Sequence, residues 1–127
     1  MNKNAGRGEK RVISGINSVV FENEKSILVV LPQMLEEHLP EYRYQWEGYK
    51  FFYPKKMSRK LKNGNWEISY YSDFKVNVFK QEKNVISEKW ETIDSQEIDM
   101  EQIAKFYVVY KKYIRELERL RKSSNND

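Results

Sequence analysis

The chain contains no cysteine in its 127 residues, which excludes disulfides, thiol nucleophiles and every zinc site that needs a thiolate. Histidine is nearly as scarce. His38 is the only one, set in Glu-Glu-His-Leu-Pro, and a lone imidazole with no nucleophile motif nearby makes neither an oriented catalytic pair nor a metal cage. None of the five glycines, at 6, 8, 15, 48 and 64, opens a helix as a phosphate loop would. No apolar run approaches the roughly 18 residues of a membrane span, the longest aliphatic stretch being Ile27 to Leu31. The first residues, MNKNAGRGEKR, also lack the apolar core of a secretory signal. Together these absences predict a soluble cytoplasmic protein without metal, cofactor or catalytic residue.

What the chain has instead is an uneven distribution of rings and charge. Residues 42–80 hold 12 aromatic side chains and 9 lysines or arginines against three acids, Glu47, Glu67 and Asp73. Residues 81–104 carry a net charge of −5, and residues 105–122 carry +5. An acidic ligand would therefore meet the first or the last of these segments.

The length suits one domain. Residues 1–11 read as a flexible basic arm, 12–122 as a single α+β domain and 123–127 as a disordered polar tail. Val12 to Phe21 and Ser26 to Leu31 are β-branched runs around Glu-Asn-Glu-Lys, which predicts an N-terminal β-hairpin ended by Pro32. Gln33 to Leu39 has the pattern of two helical turns stopped by Pro40. A twisted antiparallel meander follows, with strands at Tyr44–Tyr53, Met57–Lys62, Trp66–Tyr71, Phe74–Lys80 and Val85–Ile93. Asn63-Gly64 predicts a two-residue turn pairing Arg59–Lys62 with Asn65–Ile68. A clean period of two places Trp66, Ile68, Tyr70, Phe74, Val76 and Val78 on the buried face.

One long C-terminal α-helix, packed on the sheet, completes the prediction. Asp99 stands as its N-cap, Gln102 as the capping-box partner, and Ile98 with Ile103 as the hydrophobic staple. Ile103, Phe106, Tyr110, Tyr113, Leu117 and Leu120 then recur at alternating spacings of three and four, a continuous apolar seam. The seam's second half offers a homodimer contact through Tyr113, Leu117 and Leu120.

Two sets of residues are candidates for binding. Lys50, Lys55, Lys56, Arg59, Lys60 and Lys62 give six cations and no acid across 13 residues, able to track a phosphate backbone while Tyr49, Phe52 or Tyr53 stacks on bases. Lysines beside Pro54 equally describe an edge strand protected against aggregation. On the helix, Lys105, Lys112, Arg115, Arg119 and Lys122 fall within about 100° of arc opposite the seam, suited to phosphates, to an acidic protein groove or simply to water. The acidic stretch Glu82 to Glu101 reads mainly as a polar strand and linker whose last carboxylates favour the helix start, with mimicry of a phosphate backbone toward a basic partner as its functional alternative.

The composition, small, rich in Lys, Asn, Tyr and Ile, and free of cysteine, resembles accessory proteins of phages, plasmids and conjugative elements of AT-rich bacteria, including anti-CRISPR proteins. The functional expectation is a non-enzymatic nucleic-acid-binding protein using a basic and aromatic sheet surface. Its alternative is a protein-binding inhibitor or regulator of a nucleic-acid-handling enzyme.

Overall fold

A computed structural model describes residues 8–34 and 45–125. The fold is α+β; the described residues form eight strands in two antiparallel sheets and one long helix. The strands are β1 (Lys10–Ile16), β2 (Val19–Glu22), β3 (Ser26–Val30), β4 (Lys50–Pro54), β5 (Ser58–Lys60), β6 (Trp66–Tyr71), β7 (Lys75–Lys83) and β8 (Trp90–Asp99). The helix is α1 (Met100–Asn125). One sheet has the order β1-β6-β5 and the other β2-β3-β4-β7-β8.

The predicted hairpin forms, but its first strand is two strands. The chain breaks after Ile16, so β1 joins β6 while β2 pairs with β3. Asn23 closes the β2–β3 turn by accepting the backbone N–H groups of Lys25 and Ser26 at 2.9 and 2.8 Å, as an asparagine at a turn start should. Strand β1 starts at Lys10, inside the stretch expected to be an arm, and α1 runs to Asn125, past the expected boundary at 122.

The single meander is corrected to two sheets. A 3-10 turn at Lys55–Met57 carries the chain out of the five-stranded sheet into β5, and β6 then pairs with β5 and β1 rather than with β7. Residues 45–48 form a turn, so β4 begins at Lys50 instead of Tyr44. Leu31 and Tyr49 hold the ends of the β3–β4 connection together through Leu31 N–H to Tyr49 C=O (2.8 Å), and the Glu47 carboxylate accepts the Met34 N–H (2.5 Å). Gln33 and Met34 are not helical. The rest of the predicted short helix, 35–39, and His38 with it lie outside the described residues.

The Asn63-Gly64 turn forms one residue out of the predicted register, with Lys60 opposite Trp66 and Arg59 opposite Glu67. Only Gly64 adopts positive φ (+88°), and Leu61 accepts the Gly64 N–H at 3.0 Å. This is a three-residue loop with one left-handed position rather than the two that a type I′ turn needs. The asparagine side chain instead accepts the Asn65 N–H at 3.0 Å. The last strand is corrected as well. Val85 to Ser87 is a turn followed by two irregular residues, and β8 runs from Trp90 to Asp99.

A single core lies between the inner faces of the sheets and α1. Trp66, Ile68, Tyr70, Val76 and Val78 are buried as the alternation predicts, and Phe74 packs against them partly covered. Helix α1 starts directly after Asp99, with Ile98 and Ile103 both buried. Gln102 does not serve as the expected capping partner; its side-chain oxygen accepts the indole N–H of Trp46 at 3.0 Å. The apolar seam is fully covered at Ile103 and Phe106 and only partly at Leu117 and Leu120, so the helix docks mainly through its first half. Arg11 pairs with Glu101, and Lys111 reaches Ser14 at 3.4 Å, which lays α1 along β1. No helix among the described residues is long and apolar enough to cross a membrane.

Candidate functional site

Strand alternation decides which candidate residues reach solvent. In β4, Phe51 and Tyr53 turn inward while Lys50, Phe52 and Pro54 turn outward. Tyr53 is 4% exposed and donates its hydroxyl to the Ser69 carbonyl at 2.6 Å, tying the two sheets together. Burial raises its phenol well above the ordinary value. Tyr53 is therefore core and has no face to offer a ligand. Tyr49 is half-buried. It meets Trp46 edge to face at 5.3 Å and donates to Asp94 at 2.5 Å.

That last bond gives a measurable signature. Hydrogen bonds from Tyr49 and then Gln96 hold the Asp94 carboxyl below its ordinary 3.8, because both favour the charged form. A lowered carboxylate contributes stability above its unfolded value and loses it as pH falls through the folded one. In Tyr49→Phe, a carbon-detected NMR titration should show the Asp94 value moving up toward 3.8, and the acid side of the stability profile should flatten. An unmoved titration would show that the phenol does not hold this carboxylate.

The predicted cations do not form one patch. Lys55 pairs with Glu22 (2.9 Å) and Arg59 with Glu67 (2.9 Å). Lys56 is exposed in the 3-10 turn, and Arg59 and Lys60 sit on β5 of the three-stranded sheet, with Lys62 in the loop beyond. Near them, Lys10, Lys56 and Arg59 border an open groove of about 610 Å³ floored by Ser69 and Tyr71. Lys105, Lys112, Arg115, Arg119 and Lys122 are all exposed on α1, where Arg119 pairs with Glu116. They point away from the core. Tyr113, expected at a dimer contact, is 6% exposed within the core, and Leu117 and Leu120 pack against it.

The structure does assemble a different surface, the outer face of the five-stranded sheet. Phe52 of β4 stacks on Phe79 of β7, with centroids 5.9 Å apart and planes 24° from parallel. Lys50, two residues before Phe52, donates to Gln81 at 3.2 Å and stands over the Trp90 ring at 5.5 Å. Phe21 and Leu28 pair across β2 and β3 on the same face, which Lys75 and Lys83 share by alternation along β7. Phe52 is 51% exposed and Trp90 63%. Among the described residues nothing covers this face.

Phe21, Phe79, Trp90, Lys75 and Lys83 were not among the sequence candidates. Phe79 could have been found by extending the alternation, since Val76 and Val78 in the core put Lys75, Asn77 and Phe79 outside. Trp90 gave no local signal because it sits in the acidic stretch. Among the described residues no group of three or more His, Asp or Glu side chains is placed to hold a metal ion. No protein-family model matches this chain, and no curated protein or solved structure does so either.

Proposed function

We propose that this protein binds single-stranded nucleic acid, without catalysing a reaction, on the outer face of its five-stranded sheet. The observation that carries the reading is the stack of exposed Phe52 on partly covered Phe79 in neighbouring strands, with Lys50 held over exposed Trp90 beside it. Rings presented on an open antiparallel sheet accept bases of any identity, because every base has a π face. Lys50, Lys75 and Lys83 are the cations within reach of a backbone laid across those rings, while Glu97 and Asp99 lie on the same face of β8. Stacking therefore outweighs charge.

That balance sets the test. Three phosphate contacts on a single strand give a slope of log K against log salt of about −2, shallower than the full basic segment would give. Fluorescence anisotropy with dT and rU 12-mers at several salt concentrations should show binding with that slope. Failure of every oligonucleotide to bind at low salt would remove the proposal.

One feature favours a second reading, a protein-binding regulator of a nucleic-acid-handling enzyme. Val20 is more than half exposed beside Phe21, and Leu28 and Val30 are partly exposed on β3. Such aliphatic groups stack on nothing, yet they are well suited to the buried centre of a protein interface. Absence of oligonucleotide binding, with a partner whose capture is lost in Phe52→Lys, would select this reading. The compositional resemblance to accessory proteins of mobile elements fits both.

A further inference from the structure

Val85 and Ile86 are each 95% exposed at the tip of the β7–β8 hairpin. Turn positions are ordinarily filled by Gly, Asn, Asp or Pro, and two β-branched aliphatic side chains there gain nothing from the fold of a single chain. The tip is nevertheless firmly built. Asn84 accepts the N–H groups of Ile86 and Ser87 at 2.9 and 3.0 Å, the Asn84 N–H donates to Lys89 C=O at 2.8 Å, and Glu88 takes positive φ (61°). Beyond Phe79 the two strands continue as a ribbon to which no other strand pairs among the described residues, since β4 begins at Lys50, opposite Phe79. The hairpin thus presents a preorganised apolar knob.

A matching groove lies elsewhere on the same chain. Between α1 and β1, an opening of about 500 Å³ is lined by Gly15, Tyr110 and Ile114 and bordered by Lys111 and Arg115. The charges match as well. The segment 81–104, which includes β8 and most of the knob's ribbon, carries −5, and 105–122, which forms the groove's helical wall, carries +5. Beside the tip the acids Glu82, Glu88 and Glu91 outnumber Lys83 and Lys89, which argues against an anionic membrane as the occupant.

We infer that the protein forms a symmetric dimer in which the Val85–Ile86 knob of each copy fills the Tyr110–Ile114 groove of the other. Under a two-fold axis the contact is isologous, because each knob meets the other copy's groove at the same time, whereas a head-to-tail arrangement of the same two surfaces would run on into open polymers. The contact shares no residue with the Phe52–Phe79 face, so it stands or falls independently of nucleic-acid binding.

Sedimentation velocity from about 1 to about 200 µM, in low and high salt, tests it by mass action. A monomer–dimer equilibrium weakened by salt is expected. Val85→Ser with Ile86→Ser should weaken it at least about 100-fold. Arg115→Glu, at an exposed helix position, should also weaken it while circular dichroism stays unchanged. Mixing these two variants restores one intact contact of the two and should yield more dimer than either variant alone. A wild-type monomer at all concentrations, a dimer indifferent to the knob substitutions, or open-ended polymers would each overturn the inference. Retention of the dimer by Phe52→Ala would confirm that the two surfaces are separate.

Discussion

Phe51→Ala should cost about 3–5 kcal/mol of folding stability, whereas Phe52→Ala, one residue along, should cost about 1 kcal/mol or less. Phe51 is fully buried on the inner face of β4 and meets Tyr53 edge to face at 6.3 Å. Its removal leaves a cavity in the core beside its cross-strand neighbours Val29 and Val78 that hydrogen-bonded strands close only in part. Phe52 faces solvent, and its truncation loses one stacking partner, Phe79. A domain of this size holds about 5–15 kcal/mol in all, so the first substitution consumes much of it. Urea midpoints measured side by side decide the matter, and equal shifts for the two variants would mean that β4 does not alternate as described.

The same Phe52→Ala variant should bind single-stranded oligonucleotides roughly 5- to 150-fold more weakly, the equivalent of about 1–3 kcal/mol for one lost base stack. Because its fold is nearly unaffected, the loss would report on binding rather than on unfolding. Phe52→Trp should retain affinity by keeping a ring in place. Lys50→Ala should reduce the salt slope by about 0.7, one phosphate on a single strand, with little change in preference among bases. A Phe52→Ala protein that binds as well as the parent would remove the stacking platform from consideration, whatever the affinity of the parent.

Local rules were legible where local rules decide. The alternation from Trp66 to Val78 and the start of α1 at Met100, flanked by the buried Ile98 and Ile103, can both be read directly, because strand period and the apolar residues around a helix start are set within a few positions. The division into two sheets cannot. It depends on β1 reaching β6, some 55 residues away in sequence, and on Tyr53 bonding to Ser69 across the core. That division also dispersed the basic segment, for Lys50, Lys56 and Arg59 lie close in sequence yet belong to a strand of one sheet, a connecting turn and a strand of the other. Val85 and Ile86 misled for a related reason. Apolar and β-branched, they look like the start of a strand, but Asn84 captures the backbone and turns them outward at the hairpin tip.

Strand β8 ends at Asp99 and α1 begins at Met100, whose buried backbone N–H donates to the Phe74 carbonyl at 2.8 Å. With no linker residue between them, the heading of the helix is set by the last residues of β8.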